Sequence, residues 1–164
     1  MQPILGRWLG LMVAACLPIC GLRAGDATDA RFGELIYVPI YSSIFYQDNK
    51  RTLELAAMLS IHNVALDRTI TVARVDYYNT KGERIARYLE TPIELKPLET
   101  RNFVVEKNDT AGGTGANFLV EWRADGETIS PIVEALMINA SASQGISFTS
   151  TGKVIQRFGG QPGH

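Results

Sequence analysis

The sequence predicts an all-β chain that folds as a single antiparallel β-sandwich of immunoglobulin-like type. Three observations support this prediction. The 164 residues are the length of one domain. After residue 30, apolar residues alternate with polar ones, and no segment follows the ~3.6-residue period of a helix. Turn residues separate eight or nine short apolar runs, which favours a sandwich over a parallel α/β fold.

The clearest strand signal is an apolar residue at every second position. It occupies five odd-numbered positions: Leu53, Leu55, Ala57, Leu59 and Ile61. A strand buries such a face and a helix cannot. The alternation continues through Ile70 and Val72 and resumes at Val75, one position out of phase. This slip predicts a β-bulge near Ala73 and Arg74.

Three other segments indicate where strands lie in the sheets. Residues 118–122 alternate, and Trp122 is expected in the core. Residues 132–138 are mostly apolar on both phases, which predicts a central strand that is buried on both faces. Residues 35–41 contain Pro39, and because proline cannot donate to a strand ladder, we expect this first strand at a sheet edge.

The connections between the strands carry turn residues. Residues 79–82 predict a hairpin with Gly82 at positive φ, and Asp125 with Gly126 predicts a second hairpin. Residues 96–98, centred on Pro97, predict a corner where the chain passes from one sheet to the other.

The first residues predict an export signal. Residues 1–24 begin with a short segment that carries one positive charge, Arg7, continue with an apolar run and end in small residues, as a secretory signal peptide does. The alternative is a lipoprotein signal ending at residue 15, after which Cys16 would be lipidated. A third alternative is that the apolar run stays uncleaved as a membrane anchor. All three place the folded part outside the cytoplasm, either periplasmic or secreted, or held at a membrane.

The remainder of the chain is predicted to consist of three segments. Residues 25–34 form a short N-terminal segment, residues 35–155 the β-sandwich domain, and residues 156–164 a disordered tail rich in glycine. The two cysteines, Cys16 and Cys20, both precede residue 24. Cleavage there leaves no disulfide, and no membrane span remains after processing.

Composition excludes several classes of function. The net charge is −1, from 16 basic and 17 acidic residues, and this balance argues against a nucleic-acid partner. A zinc site needs clustered cysteine and histidine, and the interior has only His62, so we predict no metal and no cofactor. His62 would have to serve any Ser-His-Asp chemistry, and we assign no catalytic residue.

One glycine-rich segment is the most unusual in the chain. Residues 109–117 contain three glycines but no lysine, and a strand follows rather than a helix, so the segment fails as a phosphate loop. We interpret it as a loop at one end of the sandwich, where loops usually bind partners. The candidate contact residues are the polar ones of this loop and of the segment 145–150: Asp109, Thr110, Asn117, Ser147 and Thr149.

Several segments together resemble an exported bacterial family catalogued as domain-of-unknown-function family 3124. The resemblance spans about residues 35 to 155 and rests on six segments: 37–42, 59–63, 77–82, 109–118, 131–135 and 144–150. It implies export and a single small domain, and it implies no activity.

These observations favour an exported bacterial domain that is not an enzyme. We expect a binding or structural component of the cell envelope, whose partner is a protein or another envelope component. Two alternatives stay open at this point. One is a carbohydrate-active enzyme that uses paired carboxylates, for which Glu121 and Glu134 are candidates. The other is a module that binds calcium or a small ligand.

Overall fold

A computed structural model of the protein describes residues 31–140 and 145–159. The predicted signal peptide, Cys16 and residues 160–164 of the predicted tail lie outside these residues. The described part is all-β, and within it no α-helix occurs. No helix of that part is long and apolar enough to cross a membrane.

Twelve antiparallel strands follow one another along the described residues. They are β1 (Arg31–Pro39), β2 (Ser43–Tyr46), β3 (Arg51–Glu54), β4 (Ala56–His62), β5 (Ile70–Tyr78), β6 (Arg84–Arg87), β7 (Ile93–Leu95), β8 (Thr100–Val105), β9 (Asn117–Thr128), β10 (Ile132–Asn139), β11 (Ile146–Thr151) and β12 (Lys153–Arg157). A six-stranded sheet has the order β12-β1-β9-β5-β6, and β7 also pairs with β5. A four-stranded sheet has the order β11-β10-β4-β8, and β2 pairs with β3 alone.

The two larger sheets share one hydrophobic core. Val38 and Trp122 of the six-stranded sheet and Leu59 and Met137 of the four-stranded sheet belong to the same cluster, and all four are fully buried. Each strand contributes alternate side chains to this core, so period-two alternation in the sequence becomes burial on one face. The predicted burial of Trp122 is confirmed.

Gly152 lies where the chain leaves the four-stranded sheet and enters the six-stranded one. Its N–H donates to the carbonyl of Val133 at 2.8 Å. A Cβ at this position would lie 2.6 Å from Cγ2 of Ile36 and 2.9 Å from the Val133 oxygen. Only glycine therefore lets β11 and β12 connect the two sheets so closely.

Three predicted local features are confirmed. The pairing of β5 with β9 shifts register between Val72 and Arg74, which is the predicted bulge. Residues 79–82 join β5 to β6 as a hairpin turn, with Gly82 at φ 79°. Residues 96–98 carry the chain from β7 in the six-stranded sheet to β8 in the four-stranded sheet.

Two predictions from turn and breaker residues are wrong. Asp125 and Gly126 form no hairpin, because β9 continues through both of them to Thr128. β1 is not an edge strand, because it lies between β12 and β9. Ile40 N–H bonds the Ala116 carbonyl on the β9 side at 2.9 Å, so the nitrogen of Pro39 points to the other side. The pairing of β1 with β12 ends at Tyr37, before Pro39. The missing N–H of Pro39 therefore removes no hydrogen bond between these strands.

Two strand predictions are confirmed in part. The alternating face of residues 53–61 is buried in the core from Leu55 onward, but Leu55 separates β3 from β4, so the segment is two strands. β10 is central, between β11 and β4, as predicted. Its second face is not buried, because Ile132 and Ile138 are exposed on the outer side of the sheet.

Candidate functional site

The glycine-rich loop 109–117 closes one end of the two packed sheets. Its centre is Gly112, which is buried against the hydroxyls of Tyr77 and Ser42. A Cβ on Gly112 would lie 1.9 Å from the Tyr77 oxygen and 2.5 Å from the Ser42 oxygen. Glycine is needed here for this close approach, since the position has no room for any side chain.

Hydrogen bonds from two other segments hold this loop. Ser42 N–H donates to the Gly113 carbonyl at 3.1 Å, and Thr80 N–H donates to the Gly112 carbonyl at 3.0 Å. The Thr80 hydroxyl donates to the Gly112 carbonyl and accepts from Gly115 N–H, each at 3.0 Å. Ser42 and Thr80 thus hold the loop through its backbone groups.

An aromatic cluster lies beneath the loop. The rings of Tyr77 and Phe118 are 5.2 Å apart, and the ring of Tyr88 lies 5.5 Å from that of Phe118. Burial raises the pKa of Tyr77 above its usual value. Burial also raises the pKa of Tyr88 to about 12, and the negative charge of Asp109 adds to the shift. Asp109 therefore lies within electrostatic reach of this cluster.

The three candidate contact residues of the loop differ in exposure. Asp109 is half-buried, and its Oδ1 accepts the Ala111 N–H at 3.1 Å, which shapes the start of the loop. Thr110 is exposed. Asn117 is only 9% exposed and begins β9, where it pairs with Pro39 and with Tyr78.

The two candidate contact residues of β11 lie on the outer face of the four-stranded sheet. Ser147 pairs with Ile138 and Thr149 pairs with Leu136, and both β11 side chains are exposed. Ser147 is near the end of the sheet that the glycine-rich loop closes, because Ile138 is beside Ala56 at the start of β4. Thr149 is two residues further along the face.

The structure adds a feature that the sequence reasoning did not identify, the hairpin β2–β3. Phe45 is 56% exposed and Tyr46 39% exposed, beside the turn of the hairpin. Opposite them in the pairing are Thr52 and Arg51. The sequence does contain a signal for this hairpin. Residues 47–50 are four polar residues between two segments that favour strands, and two of them, Asp48 and Asn49, are common in turns.

The base of this hairpin is held on both sides. Ser42 bonds to the glycine-rich loop, and its hydroxyl shares a hydrogen bond of 2.7 Å with Tyr77. On the other strand, Asn139 Nδ2 donates to the Glu54 carbonyl at 2.6 Å. Ile44 and Leu53 pack against the core. Isolated hairpins are marginal in water, and this one obtains its order from these contacts.

The turn of the hairpin has an unusual backbone. Gln47, Asp48 and Asn49 have φ values of 51°, 54° and 64° in succession. Lys50 N–H closes the turn on the Gln47 carbonyl at 3.1 Å. Aspartate and asparagine adopt the left-handed conformation more readily than other non-glycine residues, so Gln47 is the unfavourable position of this turn.

We call the end of the molecule that carries these features the arm end. It comprises the β2–β3 hairpin, the loop 109–117 and the first residues of β11. The hydrogen bonds of Ser42 join the hairpin to the loop, and that of Asn139 joins it to the end of β10, which pairs with Ile146 at the start of β11. Asp109, Thr110 and Ser147 are therefore at the same end as Phe45 and Tyr46.

His62 lies apart from the arm end, on the outer face of the four-stranded sheet. Its Nδ1 is 2.9 Å from the Thr100 hydroxyl, and its Nε2 is 3.8 Å from Oε1 of Glu134. A hydroxyl, an imidazole and a carboxylate thus lie side by side across β8, β4 and β10. None of the three lines either of the two clefts described below.

The candidate carboxylate pair does not form a site. Glu121 lies between the buried Val120 and Trp122, so it points outward from the six-stranded sheet. Glu134 points outward from the four-stranded sheet in the same way, between Val133 and Ala135. The two carboxylates are on opposite outer faces and cannot flank one glycosidic bond, which requires separations below about 10 Å.

Two clefts open on the surface of the described residues. One of about 380 Å³ lies between the loop 65–68 and residues 127–129, at the end opposite the arm end. The other, of about 300 Å³, lies on the outer face of the six-stranded sheet. None of the five candidate contact residues lines either cleft. Among the residues described, no three His, Cys, Asp or Glu side chains come together as a metal site would require.

Comparisons with known proteins give a family and a distant structural likeness. The model of the family described as "Protein of unknown function (DUF3124)" matches residues 33–155. No curated protein matches. The chain is similar to the crystal structure of Thermotoga maritima 1070, with 10% sequence identity and a TM-score of 0.46, over 73% of this chain and 92% of that one.

Proposed function

We propose that this chain, which belongs to the family described as "Protein of unknown function (DUF3124)", is an exported binding module of the bacterial cell envelope. In this proposal it is a non-catalytic β-sandwich of immunoglobulin-like type. Its contact surface is the arm end, and its partner is a protein. The single observation that carries the proposal is a firmly anchored hairpin that presents two adjacent aromatic side chains to solvent.

The exposed aromatic residues support a partner surface. A soluble protein usually buries phenylalanine, yet Phe45 is more exposed than buried and Tyr46 follows it directly. Aromatic residues and arginine dominate the energetic centres of protein interfaces. Arg51 is paired with Tyr46 across the hairpin, so all three side chains are of the types that interface centres use.

The anchoring of the hairpin supports the same reading. A hairpin held at its base by Ser42 and Asn139 is ordered before a partner arrives, so less conformational entropy is lost on binding. The charges of the hairpin also favour a protein over a polyanion. Asp48 and Glu54 balance Lys50 and Arg51, which leaves no net charge to attract nucleic acid or an acidic lipid surface.

The neighbouring segments extend this surface. A stable interface needs about 800 Å² on each partner, which a hairpin tip alone does not supply. Asp109, Thr110 and Ser147 lie at the same end and add polar groups to it. An aromatic centre with a polar rim is the usual composition of a transient interface.

Export is tested by the intact mass of the protein purified from its own cells. A mass that begins after residue 24, without an adduct, means a periplasmic or secreted module. A mass that begins at Cys16 with a lipid adduct means a lipoprotein, and the proposal of an envelope module stands with a membrane anchor. An unprocessed chain in the cytoplasm would overturn the envelope assignment.

The contact surface is tested by replacing both aromatic residues, Phe45→Ser with Tyr46→Ser. We expect this variant to keep its urea midpoint and to lose the partners that co-purify with the wild-type chain. The matched control is Ile155→Ser, which changes an equally exposed apolar residue on β12, away from the arm end. Equal recovery of partners by both variants would exclude the hairpin from the contact surface.

A further inference from the structure

Asp76 is a buried carboxylate on the outside of a sheet. Its neighbours in the strand, Val75 and Tyr77, face the core, so the Asp76 side chain faces outward from the six-stranded sheet. It is nevertheless 0% exposed. Three arginines cover it: Arg74 Nη1 lies 3.9 Å from Oδ2, Arg84 Nη1 lies 3.6 Å from Oδ2, and Arg87 Nε lies 3.4 Å from Oδ1.

The bulge in β5 creates this arrangement. Val72 pairs with Trp122 and Arg74 pairs with Glu121, so Ala73 is the extra residue. Without it, strict alternation from the buried Val72 would direct Arg74 into the core. The extra residue reverses the phase and places Arg74 and Asp76 together on the outer face, which is a common use of bulges. The phase slip in the sequence indicates the bulge, but it does not indicate the arginines of β6 that cover Asp76.

The cluster carries more positive than negative charge. Arg74 Nη2 also lies 3.3 Å from Glu121, and Arg123 Nη2 lies 2.9 Å from the same carboxylate. Four guanidinium groups therefore share two carboxylates. Glu90 also lines this face, so the excess of the cluster is one positive charge. A bound oxyanion would neutralise this excess.

The arginines also have unused hydrogen-bonding capacity. Charge-assisted N–H···O contacts are about 2.7–2.9 Å long, and every contact to Asp76 is longer than that. Arg74 Nε is buried and has no hydrogen-bond partner within the described residues. Arg87 uses its Nε toward Asp76, and its terminal nitrogens make no other contact in that part of the chain.

These donors line the cleft of about 300 Å³ on this face. Arg74 and Arg87 line it together with Ala73, Leu89, Glu90 and Glu121. Its volume is at the lower end of the range for small-molecule sites, about 300–1,000 Å³. Glu121 is paired with Arg74 and Arg123, and Glu90 opposes further anionic charge, so the lining fits a compact ligand with one oxyanion rather than a polyanion.

We propose that this cleft binds a single oxyanion group, a phosphate monoester or diester, between Arg74 and Arg87. Asp76 is a positioning residue in this site: it holds the guanidinium groups side by side without touching the ligand. The site is separate from the arm end, so its partner is a small ligand or a headgroup and not the protein bound by the hairpin. The phosphate could come from a soluble metabolite or from a phospholipid headgroup.

The test is a titration of the purified full-length mature protein with inorganic phosphate, followed by the arginine Nε–H resonances in NMR spectra. We expect saturable shifts of the Arg74 and Arg87 resonances. Arg87→Gln should weaken binding by about tenfold or more, the loss of one charged hydrogen-bond partner. Arg101→Gln is the matched control, an exposed arginine on the other sheet, and should leave the affinity unchanged.

A second variant keeps the test independent of folding defects. Glu90→Gln removes a negative charge from the exposed rim of the cleft and should strengthen phosphate binding by about two- to fivefold. Co-sedimentation with phosphatidylglycerol vesicles identifies the source of the phosphate. Sedimentation that is sensitive to Arg87→Gln indicates a lipid headgroup, and phosphate binding without sedimentation indicates a soluble ligand. Absence of saturable shifts, or equal affinity of wild type and Arg87→Gln, would overturn the proposal.

Discussion

The hydroxyls of Ser42 and Tyr77 share a hydrogen bond of 2.7 Å against the backbone of Gly112. This contact joins three parts of the molecule: the base of the β2–β3 hairpin, the buried strand β5 and the glycine-rich loop. Because Tyr77 is fixed in the core, the other two segments take their positions from it. The arm end is therefore continuous with the core, and core substitutions at its base should disturb it.

Gly112→Ala should destabilise the protein because the new Cβ would overlap the hydroxyls of Tyr77 and Ser42. We expect a loss of about 1–3 kcal/mol in the free energy of unfolding, the usual cost of overpacking a tight site. Urea denaturation measures it. Gly145→Ala is the control, since a Cβ there would meet only the Asn139 carbonyl at 3.7 Å. Equal midpoints for the two variants would mean that the loop does not pack against Tyr77 as described.

Leu98→Gly should stabilise the protein. Leu98 has φ 61° and is 67% exposed. Its left-handed backbone is strained, and burial of the side chain offsets little of that strain. Glycine removes this strain, and we expect a gain of about 0.5–1 kcal/mol after the added entropy of the unfolded chain. Leu66→Gly, at an exposed position without positive φ, should lower stability by a similar amount. Thermal denaturation measures the stability of both variants. A loss of stability in both would contradict the backbone strain assigned to Leu98.

Asn63→Ala should be among the costly polar substitutions. The Asn63 amide is buried and donates to the carbonyls of Arg68, Leu95 and Lys96 at 2.8, 2.9 and 3.0 Å. Its removal leaves the buried Leu95 carbonyl without this donor, at a cost of about 1–3 kcal/mol, and also removes the part-buried bonds to Arg68 and Lys96. Asn63→Asp should be worse, because it directs a carboxylate at the same oxygens. Urea denaturation near neutral pH measures both, and an Asp variant as stable as wild type would refute the assigned donor.

The stability of the protein should fall as the pH rises from about 10 toward 12. The pKa of Tyr88 is about 12 in the folded protein, above its ordinary value of 10. Between these values the unfolded chain releases the proton and the folded chain retains it, so the unfolded state is favoured. The contribution is complete below pH 10 and is lost as the pH approaches 12. Tyr88→Phe should flatten this slope of the urea midpoint against pH, and an unchanged slope would contradict it.

The sequence predicts the strands better than their arrangement. Alternation at Leu55, Leu59 and Ile61 predicts a buried face because a strand has two sides, and this is a local property. The position of β1 between β12 and β9 depends on contacts with residues far along the chain, and Pro39 alone cannot reveal that β12 ends before it. Asp125 and Gly126 carry a turn signal that the pairing of β9 overrides.

The same limit applies to the candidate surfaces. The polar residues Asp109 and Thr110 follow from the composition of the loop, whereas the exposure of Phe45 depends on how the hairpin is anchored. The out-of-phase step at Ala73 predicts a bulge, but nothing local in the sequence indicates that Arg84 and Arg87 come from the next strand to cover Asp76.

The most direct test of the arm end is site-specific photocrosslinking in the cells that produce the protein. A photoreactive phenylalanine analogue replaces Phe45 in one variant and Leu66 in another, since Leu66 is 79% exposed at the opposite end. We predict a discrete crosslinked adduct with one protein from position 45 and none from position 66. The absence of an adduct at position 45, or the same adducts from both positions, would contradict the account.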